Sequence, residues 1–144
     1  ITILNPAPAA ELPKEVFEVC DYITPNETEA EAITGLPVRN EAEAESAAQS
    51  LAGLGVKTPI ITMGEQGAFL FGYGMVSAYE AGPVVETTGA GDAFNGAFAV
   101  ALSEGRSAVD AVRFGCATAA ISVTRPGTAP SMPTRDEVEQ LLRD

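Results

Sequence analysis

Apolar and polar positions in this chain fall into short blocks with two different periods. Ile1-Thr2-Ile3-Leu4 predicts a strand already under way at residue 1, broken by Asn5-Pro6-Ala7-Pro8. Leu12 to Cys20 predicts a short helix with Val16, Phe17 and Val19 apolar, and Asp21 to Thr24 a second brief strand stopped by Pro25. Glu27 to Thr34 predicts a helix ended by Gly35, with Pro37 beyond it. Asn40 then caps a longer helix, with Glu43 three residues on. In that helix Ala44, Ala47, Ala48, Leu51 and Leu54 share one face, and Gly55 ends it.

Pro59 to Met63 is an apolar strand between helical stretches, as in a βαβ unit. Gly67 to Phe71 and Met75 to Tyr79 predict two more strands, close enough across Gly72-Tyr73-Gly74 to form an antiparallel hairpin. Val84 and Val85 close a further strand, after which Asp92-Ala93-Phe94-Asn95 opens a helix. Phe94 to Leu102 and Ala108 to Val123 are Ala-rich helices broken at Gly105. Thr134-Arg135-Asp136-Glu137 is a capping box for a final helix with Val138, Leu141 and Leu142 as its apolar face. Strand–helix alternation with one hairpin predicts an α/β fold, a three-layer α/β/α sandwich around a mixed sheet.

Composition narrows the classes. An apolar fraction of 46% over 144 residues suits one domain, or part of one, with a real core. No apolar run approaches the roughly 20 residues of a membrane span, and no signal peptide is visible. Cys20 and Cys116 are too few for a disulfide framework, so a reduced, cytoplasmic setting is expected. With 20 acidic against 8 basic residues, no His and a formal charge of −12, the chain lacks a nucleic-acid surface. Any polyphosphate must then be held by backbone amides and metal ions, or by basic groups outside this chain. A chain rarely begins inside a buried strand, so Ile1 suggests the C-terminal part of a longer protein.

The densest chemistry lies in Val84 to Ala97, V-V-E-T-T-G-A-G-D-A-F-N-G-A. Successive N–H groups at Gly89, Ala90 and Gly91 would face the space before a helix whose first turn carries partial positive charge. Such a place binds anions without Lys or Arg. Asp92 at the same mouth is an odd companion for a bound phosphate, unless it takes a proton from a hydroxyl that then attacks that phosphate. A plain Asp N-cap after a Gly-rich turn is the structural alternative. No Lys follows as a P-loop requires, and Gly96 comes two residues late for a dinucleotide-binding G-x-G-x-x-G.

The stretch T-T-G-A-G-D-A-F-N-G-A resembles the C-terminal signature of the ribokinase family of PfkB-type carbohydrate kinases. N-P-A-P-A at Asn5, T-P-N-E-T-E-A-E at Thr24, I-T-M-G-E-Q-G at Ile61 and V-T-R-P-G-T-A-P-S at Val123 resemble it in order and spacing, over nearly the whole chain. The resemblance implies the nucleotide-binding C-terminal part of such a kinase across residues 1–144, with the sugar-gripping, lid-bearing N-terminal part absent. It implies phosphoryl transfer from ATP to a primary hydroxyl of a pentose, D-ribose O5 above all. Fructose, another sugar or a nucleoside is an alternative acceptor. An inactive nucleotide-binding module and, less well, a dinucleotide-dependent enzyme are the other readings.

Residue by residue, Asp92 matches the family's catalytic base and its contact to the sugar, with Gly89, Ala90 and Gly91 as the anion hole. Asn26 and Glu29 match an N-x-x-E pair tied to Mg²⁺ through water; by themselves they read as a helix cap and a surface carboxylate. Thr62, Gly64, Glu65 and Gly67 match a turn lining the nucleotide site; Asn26 and Gly91 match other nucleotide-binding positions, and Cys116, on a helix, one that lines the adenine pocket. Alone, the turn is a strand connection and Cys116 a buried Cys. Glu86, Thr88, Ser122, Arg125, Gly127 and Ser131 match a K⁺ site built mostly from backbone carbonyls. Family members usually carry Asp where Glu86 stands, which puts that site in doubt. The resemblance also implies a homodimer formed through the lid.

Overall fold

A computed structural model describes residues 1–144, which divide into two compact bodies, Ile1–Met75 and Val76–Asp144. The first body holds β1 (Ile3–Leu4), α1 (Lys14–Glu18), β2 (Tyr22–Ile23), α2 (Glu27–Thr34), α3 (Glu41–Gly53), β3 (Thr58–Thr62) and β4 (Ala68–Leu70). The last strand, β5 (Gly74–Val76), runs out of it. The sheet order is β1-β2-β3-β4-β5. β1, β2 and β3 are parallel, while β3 and β4 are antiparallel, pairing Ile60 with Leu70 and Thr62 with Ala68. The expected α/β class with a mixed sheet is therefore present.

Local chemistry explains the boundaries. α2 starts at Asn26, whose side chain accepts the Glu29 N–H, and stops at Gly35 in the left-handed region at φ 74°. Asn40 caps α3 through the Glu43 N–H, while the Glu43 carboxylate pairs with Arg39. Ala44, Ala47, Ala48 and Leu51 of α3 are fully buried and join Ile23, Ile61 and Phe69 in one core, against which Leu54 packs. Ile60 and Ile61 point to opposite sides of β3 and both are fully buried, so both faces of that strand are covered.

The second body is helical: α4 (Ala90–Ser103), α5 (Ala108–Ser122) and α6 (Arg135–Arg143). α4 and α5 pack through small residues, and Phe94 stacks on Phe98 with ring centroids 5.9 Å apart. Gly115 of α5 sits against Phe94, where an added Cβ would come within 2.7 Å of the ring. α6 opens with the expected capping box, and Val138 is its buried anchor on the body's core.

Four expectations are corrected. Val84 and Val85 form no strand: both are exposed, and the N–H groups of Val85 and Glu86 donate to the Val123 carbonyl just past α5. Helix α4 starts at Ala90, two residues before Asp92, because Gly89 takes the left-handed cap at φ 82°. β5 ends at Val76, and no regular element lies between there and α4. Helix α1 is also shorter than its apolar pattern, running only from Lys14 to Glu18 between Pro13 and Val19.

Candidate functional site

In the second body the Thr87–Asp92 turn is shaped by Gly89. Its positive φ favours Gly, and an added Cβ would lie 3.2 Å from the Thr128 methyl. The Ala90 N–H donates to the Thr87 carbonyl at 3.2 Å, and the Gly89 carbonyl accepts from the Ala93 N–H at 2.9 Å. Of the three amides expected to face an anion, Ala90's is thus committed to the turn. The N–H groups of Gly89, Gly91 and Asp92 make no hydrogen bond. They are the free donors at the positive end of a fourteen-residue helix.

Asp92 is the third residue of α4 rather than its N-cap, so the plain capping alternative does not describe it. Its carboxylate is exposed and forms no hydrogen bond or ion pair. A carboxylate left unpaired beside free amides can accept a proton from an incoming hydroxyl while the amides meet an anion.

The candidate cation residues cluster behind this turn. The Glu86 carboxylate accepts the Gly127 N–H at 2.8 Å, which, ahead of the Thr88 hydroxyl, holds Glu86 below the usual carboxylate range. Gly127 has φ 86°, again a glycine conformation. The Ser122 carbonyl accepts the Arg125 N–H at 3.2 Å, and the Ser122 hydroxyl donates to Ala119. Buried Ser131 donates its hydroxyl proton to the Thr128 carbonyl at 2.6 Å, leaving its oxygen lone pairs free. Arg125 pairs with Glu137 at the start of α6. Oxygens of this kind, hard and mostly neutral with one carboxylate among them, fit a monovalent cation.

In the first body the N-x-x-E pair is a reciprocal capping box. Asn26 Oδ1 accepts the Glu29 N–H at 2.8 Å, and Glu29 Oε2 accepts the Asn26 N–H at 2.9 Å. One Glu29 oxygen remains free. No group of three or more carboxylates, Cys or His that could hold a metal directly is present. The free Glu29 oxygen could accept from a metal-bound water, and the pair forms no direct cage. Asn26 also lies beside Thr62, the two forming an isolated parallel bridge, with the Thr62 N–H donating to Pro25 at 2.9 Å.

Beyond Thr62 a single 3₁₀ turn, Gly64–Gln66, closes through the Gly67 carbonyl accepting from Met63 at 2.8 Å. Gly64 at φ 54° and Gly67 at φ 108° set its path, and Glu65 is exposed at its crest. This places Asn26, Thr62, Gly64, Glu65 and Gly67 together at the ends of β2 and β3. Cys116 is buried in α5, where loss of solvent pushes its thiol up to about 12. A buried thiol held protonated in this way is not a nucleophile.

Three contributors escaped the sequence reading: Thr128 against Gly89, the Val123 carbonyl, and Glu137 behind Arg125. Only Glu137 carried a local signal, as the fourth residue of its capping box.

The pattern of the pfkB family carbohydrate kinases matches residues 1–135. The chain belongs to this family. It is 46% identical to the ribokinase of Haemophilus influenzae over 142 residues, covering 97% of this chain and 46% of that protein. A deoxyribokinase of Salmonella typhi is 39% identical, with 97% of this chain and 47% of that protein covered. Among solved structures, Arabidopsis thaliana ribokinase complexed with ribose and ATP superposes with a TM-score of 0.93 at 37% identity. That match covers 99% of this chain and 47% of the other. The chain thus spans about half the length of the pfkB relatives it matches. No helix is long and apolar enough to cross a membrane.

Proposed function

We propose that the whole protein is a cytoplasmic, ATP-dependent pentose kinase acting on D-ribose O5, and that residues 1–144 are its nucleotide-handling C-terminal part. The observation that carries the reading is the unpaired Asp92 carboxylate among the free amides of Gly89, Gly91 and Asp92 itself. Its context, a pfkB kinase whose relatives include a ribokinase with ribose and ATP bound, supplies the substrate class.

In the step we infer, Asp92 takes the proton of the sugar hydroxyl. The hydroxyl oxygen bonds to the γ-phosphorus, and the bond from that phosphorus to the β,γ-bridging oxygen breaks. The electron pair leaves with ADP. The free amides at the start of α4 stabilise the charge on the transferring group. Because the first turn is fixed by Gly89, these donors need no rearrangement as charge develops.

Mg²⁺ would supply charge neutralisation of the phosphates, with Asn26 and Glu29 holding its waters. The Thr62–Gly67 turn would face the nucleotide. K⁺ would sit among Glu86, Thr88 and the Ser122–Ser131 carbonyls and stiffen the turn before α4. The homodimer implied by the resemblance belongs to this reading of the whole enzyme.

A deoxyribokinase among the relatives favours 2-deoxy-D-ribose as the second reading. ADP release by the whole protein, measured with D-ribose, 2-deoxy-D-ribose, D-fructose and a nucleoside, separates them. The expected result is the highest kcat/KM with D-ribose, and a preference for the deoxy sugar selects the second reading. ATP binding without any sugar-dependent ADP release contradicts both.

A further inference from the structure

Glu137 divides its two carboxylate oxygens between two tasks. Oε2 accepts the Thr134 N–H at 2.7 Å and the Thr134 hydroxyl at 3.1 Å, which closes the α6 capping box. Oε1 takes the Arg125 guanidinium. The cap needs only the first oxygen, so the second is free to hold the loop that follows α5.

That loop is the buttress of the α4 turn. The Arg125 N–H donates to Ser122 at 3.2 Å, the Gly127 N–H donates to the Glu86 carboxylate at 2.8 Å, and the Thr128 methyl sits against the bare Cα of Gly89. From Glu137 the contacts therefore run through Arg125 and its loop to both Glu86 and Gly89. Asp92 lies one helical turn further on.

We propose that Glu137 is a positioning residue for phosphoryl transfer, setting the Arg125–Thr128 loop that in turn fixes the Gly89 cap and the Asp92 carboxylate. The proposal rests on the reading of Asp92 as base. Neither Glu137 nor Arg125 needs to touch substrate for it. The Arg125–Glu137 pair is partly shielded, with side chains 35% and 41% exposed.

The test uses the whole protein with the variants Glu137→Gln, Arg125→Gln and both together. Thr134→Ala removes the hydroxyl bond to Glu137 Oε2 but leaves the Thr134 N–H bond and the Oε1 contact with Arg125 in place, and serves as control. Two readouts are taken: steady-state kcat and KM for sugar, and hydrogen exchange of the Gly127 amide. Each single variant should lower kcat roughly five-fold with KM nearly unchanged, the scale of a partly exposed ion pair acting on alignment. The double variant should add little, and Gly127 should exchange faster in all three.

Unchanged kcat and exchange in Glu137→Gln, or equal effects in Thr134→Ala, would overturn the proposal. If Glu137→Gln does not fold, Arg125→Gln carries the test alone, because it leaves both capping-box bonds intact. A wild-type protein without sugar-dependent ADP release defeats the kinase reading instead. In that case Gly127 exchange alone decides whether Glu137 holds the loop.

Discussion

The Glu86 carboxylate accepts the Gly127 backbone N–H at 2.8 Å across 41 residues of sequence. This bond ties the segment entering α4 to the segment leaving α5. It also brings the one carboxylate of the proposed cation site against a loop of carbonyls. Replacing K⁺ by Na⁺ should lower turnover of the whole protein. In Glu86→Ala the difference between the two salts should vanish and turnover should fall roughly ten-fold, as the turn loses its fixed shape. Equal wild-type rates in the two salts would count against a cation at this place.

Gly115 of α5 faces Phe94 of α4 with no room for a side chain. A Cβ there would lie 2.7 and 2.8 Å from two Phe94 ring carbons and 3.1 Å from the Phe94 carbonyl. Overpacking a fitted helix contact costs about 1–3 kcal/mol. Gly115→Ala should therefore lower the thermal midpoint, and Phe94→Leu in the same chain should recover part of the loss. An unchanged midpoint in Gly115→Ala would show that the two helices separate freely.

Asp21 joins the start of the first body to the entry of β3. Its carboxylate accepts the Thr2 N–H at 2.8 Å and pairs with Lys57 at 3.1 Å. The Thr2 N–H first, and Lys57 after it, hold its pKa below the ordinary 3.8. The stabilisation is therefore complete above that value and is lost as pH falls through the lowered one. Asp21→Asn should lower the thermal midpoint near neutral pH and flatten its decline below about pH 4, where the ordinary carboxylate titrates. An acid limb as steep as that of the wild type would place the acid sensitivity elsewhere.

Much of this architecture is written locally. Asn26 and Gly35 bound α2, Asn40 bounds α3, and Thr134 with Glu137 opens α6, because caps depend on residues a few positions apart. The Gly72–Gly74 turn and the apolar run of β3 are of the same kind. What stayed hidden depends on distant partners. Val84 and Val85 have strand-forming side chains, yet the only backbone partner here is the Val123 carbonyl, shared by the Val85 and Glu86 N–H groups, and no ladder forms. The α4 start moved to Ala90 because Gly89 takes the left-handed cap, and there a side chain would crowd Thr128, 39 residues away by numbering. The N-x-x-E pair shows a third case. Its spacing serves a capping box and a water-mediated metal partner equally, and the capping box is realised with one Glu29 oxygen to spare.

Turnover of the Asp92→Asn variant of the whole protein decides the catalytic assignment. The substitution keeps the shape of the side chain and removes its ability to take a proton. Turnover should fall roughly 10²–10⁴-fold, the usual worth of a positioned base, while affinity for a non-hydrolysable ATP analogue changes little. Near-normal turnover would contradict the role of Asp92 and leave the free amides of the α4 turn as an anion site without a base.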